Sequence, residues 1–214
     1  LEGALPPLPA HSALVRLHLS HCVICTTWAC DALAVLLRDH PLVDVNLLYN
    51  HFTDPNDGTA EKCLVAAAAQ NRNVRTLCGL AEATRPHLDL CPYKNCCLRA
   101  TDLHFVTFDL TREFNRCVLL NLAGNRLSDD GMRVLCEALS TNTTLQHLIL
   151  GERCVYLNSC DIGCHGAHAL ATMLKTNTGL HTLALHGTSL DTEGIIALCD
   201  ALPHNYTLLS LIHI

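Results

Sequence analysis

Three clusters in the chain combine residue types that hold metal ions or act as nucleophiles. His18-x2-His21-Cys22-x2-Cys25 has the composition of a zinc site, which imidazole and thiolate ligands surround tetrahedrally. Cys91, Cys96 and Cys97 form a second cluster, and Cys154, Cys160, Cys164 and His165 a third. Asp129-Asp130 pairs two carboxylates, as general acid–base chemistry requires. Each cluster does chemistry only if the backbone brings its side chains together, so the elements that carry them decide the matter. No nucleophile elbow, phosphate-binding loop or dinucleotide fingerprint occurs anywhere in the sequence.

Those elements are legible from Cys117 to Thr144, CVLLNLAGNRLSDDGMRVLCEALSTNTT. Leu120 and Leu122 alternate with Leu119, Asn121 and Ala123, the period-two pattern of a short strand with one buried face. Ser128-Asp129-Asp130-Gly131 is turn chemistry, with Ser128 or an Asp as the expected helix N-cap. Met132, Leu135, Cys136 and Leu139 then recur at helical spacing. Neither strand nor helix can bury its apolar face alone, but stacked copies can. Placed in this frame, His18 and His21 fall on the exposed strand face while Cys22 turns into the core, so the zinc ligands diverge. The Asp pair falls at a helix start, where acidic residues are electrostatically favoured. Packing is the preferred reading for every cluster, with no metal and no cofactor expected.

The segment resembles the ribonuclease-inhibitor type of leucine-rich repeat. Leu120, Leu122, Asn125, Leu127, Gly131, Leu135, Leu139 and Asn142 all match that family's pattern in one register. The resemblance implies an α/β leucine-rich-repeat solenoid, a horseshoe with a parallel β-sheet on its concave face and α-helices on its convex face. Residues 1–13 read as a linker or N-terminal cap. An array of about six to seven units then follows: 14–41, 42–73, 85–116, 117–144, 145–179, 180–207 and a partial 208–214. An irregular stretch, 74–84, is expected to bulge as a loop, and a helix is expected over 100–110. The turn at 53–59 is long, and 151–157 is an insertion. The chain begins at Leu1 and stops within a strand pattern, which reads as a fragment of a longer chain.

Composition narrows the function. Half the residues are apolar, 16% are charged and the net charge is −6, with no basic block, so nucleic acid is not an expected partner. No apolar run approaches a membrane span; Leu64 to Ala69 is far too short. The 14 Cys include Cys136 and Cys199, which occupy small buried positions in the repeat frame. Reduced thiols in a cytoplasmic protein are expected rather than a disulfide framework. The sequons at Asn142 and Asn205 coincide with the closing turn of the repeat and say little about secretion.

The exposed strand face is the functional candidate. One outward column reads Arg16, Asp44, His87, Leu119, His147, Thr182. The next reads His18, Asn46, Asp89, Asn121, Ile149, Ala184, with His181 and His186 flanking the last full strand. This mixture of charge, imidazole and apolar groups suits a protein partner, and a small molecule is not expected. The expected function is a non-enzymatic interaction scaffold that binds through this face or through the inter-repeat insertions. The resemblance also admits a regulator of a small GTPase, for which Asn125, Arg126 and Arg153 are available, or a structural segment of a larger assembly.

Overall fold

Short strands alternate with helices along the chain in the computed structural model, as the two hydrophobic periodicities require. The structure describes residues 14–22, 24, 26–50, 52, 58–79, 87–90, 98–113, 115–151, 160 and 162–212, with 88 and 89 described by backbone alone. The linker at 1–13, most of the turn at 53–59 and nearly all of the insertion at 151–157 lie outside them. Two compact bodies are formed: residues 1–82 with 104–109, and 83–103 with 110–214.

In the first body, strand β1 (Arg16–His18) precedes helix α1 (Thr27–Asp39), and strand β2 (Asp44–Asn46) precedes helix α2 (Thr59–Gln70). β1 and β2 pair in parallel. The Thr26 side chain caps α1 by accepting from Ala29 N at 3.2 Å. Leu33, Leu37 and Leu64 line the faces on which the helices pack. Of the stretch 74–84, residues 74–79 do not bulge as expected, and 80–84 lie outside the described residues. Thr76 and Cys78 bridge to Asp44 and Asn46, and Leu77 is fully buried. The carboxylate of Asp109 explains its fixation: it accepts from Thr76 Oγ1 at 2.5 Å, Leu77 N at 2.7 Å and Cys78 N at 3.3 Å.

The second body holds strand β3 (His87–Asp89), strand β4 (Leu119–Asn121), helix α4 (Ser128–Leu139) and strand β5 (His147–Gly151). Helix α5 (Cys164–Leu174), strand β6 (Thr182–Leu185), helix α6 (Thr192–Ala201) and strand β7 (Ser210–Ile212) complete it. Its sheet is wholly parallel, in the order β3-β4-β5-β6-β7. Helix α3 spans Leu103–Leu110, three residues shorter at its start than the sequence suggests. Its residues 104–109 belong to the first body and its two end leucines to the second.

Three local features bind neighbouring strand–helix pairs together. The first is a ladder of buried polar residues after β2, β4, β5 and β6. Asn125, fully buried, donates from Nδ2 to Leu90 O and Leu122 O, both at 2.9 Å, and accepts from Leu98 N at 2.8 Å. Asn50 donates likewise to Leu19 O and Leu47 O at 2.8 Å. The buried thiol of Cys160 donates to Leu122 O at 3.3 Å, and Thr188 Oγ1 to Leu185 O at 2.8 Å. Cys22 departs from this pattern. It is exposed, with its thiol 3.8 Å from Ser20 O of its own turn, because no strand precedes β1 among the described residues. Cys199 is also exposed where Cys136 is buried. α4 is followed by α5 packed against it, whereas among the described residues α6 is followed by a short 3-10 turn and β7.

The second feature is the asparagine of the closing turns after α2, α4, α5 and α6. Asn71 donates to Leu37 O and His40 O, Asn142 to Leu110 O, Asn177 to Leu139 O and Asn142 O, and Asn205 to Leu174 O and Asn177 O. The third is a cap supplied from outside the helix it serves. Ser128, expected to cap α4, has φ +55° and makes no cap bond. Asp129 instead accepts from Gly163 N at 2.8 Å and Gly166 N at 2.9 Å, so it caps α5. A Cβ on Gly166 would lie 2.7 Å from Asp129 Oδ1, which explains the glycine there.

The candidate binding face

A left-handed backbone conformation marks the turn where the chain leaves the strand face. Gly124 (φ +74°) and Gly187 (φ +61°) hold it in the second body, as a residue without Cβ does most cheaply. In the first body the same frame position is filled by His21 (φ +58°) and Tyr49 (φ +62°). Their rings stack with centroids 4.6 Å apart and planes within 5°. Stacking offsets part of the backbone cost. Sequence patterning does not reveal this pair, because its signal is a conformation and not a residue type.

In the first body Arg16 pairs with Asp44 and His18 with Asn46 in strand register. Arg16 and His18 are exposed. Asp44, expected to face solvent, is only 4% exposed. Its carboxylate lies 3.3 Å from His18 Nε2, and its strand is flanked by both β1 and Thr76, which closes it off. Asn46 Oδ1 accepts from Leu48 N at 3.1 Å, so its acceptor serves the turn.

In the second body the strand register runs His87, Leu119, His147, Thr182, Ser210 in one column. The adjacent column runs Asp89, Asn121, Ile149, Ala184, Ile212. Alternation puts the intervening Leu120, Leu148 and Leu183 wholly inside. His87 is exposed; Leu119, Asn121, His147, Ile149 and Thr182 are half-buried by their column neighbours. Ala184 is only 7% exposed, beside a register shift between Ile149 and Gly151. His181 and His186 are half-buried at the two ends of β6. His181 Nδ1 donates to Gly179 O at 2.7 Å, which leaves Nε2 as the ring's other polar atom.

The groups singled out for metal or nucleophile chemistry are described only in part. Cys25, Cys91, Cys96, Cys97, Cys154 and Arg153 lie outside the described residues. Among the described residues no group of three or more His, Cys, Asp or Glu is placed to hold a metal ion. Burial pushes the Cys136 thiol up to about 12. Cys164, 3.6 Å from both His168 Nδ1 and Glu193 Oε2, has its thiol raised by desolvation and then by Asp191 and Glu193. Both shifts oppose formation of the thiolate, the nucleophilic form. A cleft of about 680 Å³ lies by the starts of α4 and α5, lined by Ser128, Asp129, Asp130, Arg133, Gly163, His165 and Ala169. Asp129 spends one oxygen there on the α5 cap, and the other lies 3.6 Å from His165 Nδ1. The sequon residues Asn142 and Asn205 use their side-chain amides within the fold. No described helix is long and apolar enough to cross a membrane.

No family model matches the chain. It is 28% identical over 162 residues to mouse NACHT, LRR and PYD domains-containing protein 12, covering 69% of this chain and 15% of that protein. It is 28% identical over 191 residues to human NACHT, LRR and PYD domains-containing protein 13, covering 89% of this chain and 16% of that protein. It is 34% identical over 111 residues to pig ribonuclease inhibitor, covering 51% of this chain and 22% of the inhibitor. The chain thus spans less than a quarter of the length of each of these relatives. Its buried leucine periodicity, its parallel strands with intervening helices and these relatives together mark the chain as a homologue of leucine-rich repeat proteins of the ribonuclease-inhibitor type.

Proposed function

We propose that the chain is a non-enzymatic protein-interaction module that engages a protein partner across the outward face of its strands. The observation that carries this reading is the side-chain register of the five-stranded sheet. Five parallel strands align two columns in which imidazole, amide, hydroxyl and aliphatic groups alternate at neighbouring positions. A partner side chain meets such a surface at several points at once. Parallel pairing fixes the spacing between strands at about 4.8 Å, so the pattern is rigid. Pre-organisation of this kind lowers the ordering cost of association. The relatives support the same reading: ribonuclease inhibitor is by its name a protein that acts on another protein.

The test is affinity capture from the source cells with the full chain and with two double variants. H147A/H181A alters the strand face, and H165A/H168A alters exposed positions on α5. A partner identified by mass spectrometry should be held by the wild type and the α5 variant and lost with the strand-face variant. Equal capture by all three would move the site to the helices or to the inter-repeat insertions.

A further inference from the structure

The end of the second body presents a groove of a kind that is filled twice elsewhere in the same body. Glycines show which way each helix faces. A Cβ on Gly166 of α5 would lie 3.3 Å from the Cβ of Met132 on α4. One on Gly194 of α6 would lie 2.8 Å from the Cβ of Ala167 on α5. Met132 and Ala167 therefore face the following helix. At helical spacing Cys136 and Leu139 complete the stripe of α4, and Ala171 and Leu174 that of α5. All six residues are at most 5% exposed. On α6 the same positions after Gly194 are Ile195, Cys199 and Leu202. Ile195 is 42% exposed, Cys199 is exposed and Leu202 is half-buried. The strand beside α6 repeats the contrast. Leu120, Leu148 and Leu183 have no exposure, whereas Leu211, the register partner of Leu183, is half-buried.

We propose that this groove docks an amphipathic α-helix of a partner protein, with a glycine against Ile195 and a basic polar side. The interface that packs α5 on α4 and α6 on α5 continues onto the stripe of α6, so the occupant is the element that covers it in those two cases. An apolar helix face laid into an apolar groove is a general mode of protein recognition. The strand of the next unit is already present as β7, so the groove lacks a helix alone. Glycine is required because the equivalent contacts at Gly166 and Gly194 leave no space for a larger residue. Charge sets the partner's polar side. The stripe itself is uncharged, while α6 exposes Glu193 and Asp200 and contains no Lys or Arg. This surface is separate from the strand columns, so it stands or falls independently of the reading above.

The experiment measures fluorescence anisotropy of a labelled probe with the full chain. The probe is a Leu/Lys amphipathic peptide of about 18 residues, long enough for helix formation, with one glycine in its apolar stripe. I195E/C199E sets carboxylates at exposed stripe positions and should weaken binding about tenfold or more, because docking would desolvate them. V35E, at an exposed apolar position on α1, should leave it within about twofold. Replacing the probe's glycine by leucine makes the peptide more apolar and more helical, yet should weaken binding about fivefold through overpacking. Exchanging its lysines for glutamates should weaken binding about threefold or more. Hydrogen exchange on the wild type locates the probe without relying on any variant's fold: amides of 195–202 should slow when it binds. Equal binding by I195E/C199E, tighter binding of the leucine probe, or slowing confined to other segments would overturn the assignment. So would a wild-type dimer that I195E/C199E makes monomeric and that the probe does not disrupt, since the occupant would then be a second copy.

Discussion

Asn125 is the side chain whose loss should be felt most. It has no exposure and makes three hydrogen bonds, two as donor to Leu90 O and Leu122 O and one as acceptor from Leu98 N. Asn125→Ala leaves Leu90 O and Leu98 N without that partner, on residues at least 93% buried, while Leu122 O keeps the Cys160 thiol and the Asn125 backbone amide. Orphaning a buried backbone group costs about 1–3 kcal/mol. For two such groups, allowing for partial relaxation, the total is about 2–4 kcal/mol, a large share of the roughly 5–15 kcal/mol that holds a domain folded. Urea denaturation followed by far-ultraviolet circular dichroism measures it. Asn125→Asp sharpens the test. It keeps an acceptor for Leu98 N but sets a carboxylate against two carbonyl oxygens, so it should be at least as damaging as Ala. A loss below about 1 kcal/mol for the Ala variant, or an Asp variant milder than Ala, would refute the ladder as an energetic feature.

Three further outcomes follow from the geometry. Burial raises Asp109 to about 6 from its ordinary 3.8. The fold therefore binds this proton more tightly than the unfolded chain, and stability grows as the pH falls through about 6 and levels off below about 4. Between about pH 7 and pH 5 this group should contribute about 1 kcal/mol, read as the wild-type change in urea midpoint minus that of D109N, with Trp28 fluorescence reporting on the first body. Asp129→Ala removes the carboxylate that caps α5 and should cost about 1 kcal/mol, with faster amide exchange at Gly163 and Gly166, while Asp130→Ala should not change that exchange. Gly151→Ala would set a Cβ 1.8 Å from His186 O, a backbone atom with little room to yield, and should lower the stability by about 3 kcal/mol in thermal unfolding.

Strand and helix positions were legible where the leucines were regular. Leu120, Leu148 and Leu183 alternate with polar neighbours, and the strand register follows from them. The columns Arg16–Asp44 and Leu119–His147–Thr182 could be written down from sequence spacing for the same reason. Exposure along those columns was not legible, because it depends on what lies on either side. Asp44 is an acid at an outward position, yet it is covered by its neighbours and held by His18. Capping was misassigned because sequence adjacency suggests Ser128 for α4, whereas Asp129 reaches the helix that begins 35 residues later. The stretch 74–79 lacked a leucine pattern of its own, and what fixes it is the distant Asp109.

The closing asparagines all act in one direction along the chain. Asn71, Asn142, Asn177 and Asn205 each donate to carbonyls that come earlier in sequence, as do Asn50, Asn125 and Cys160. Each turn is therefore completed by residues that leave the ribosome about thirty positions after it. During synthesis the newest helix emerges with carbonyls still bonded to water, and it acquires its partners only when the following repeat appears. Folding of this protein as it is made should lag translation by about one repeat, moving along the chain as a travelling front.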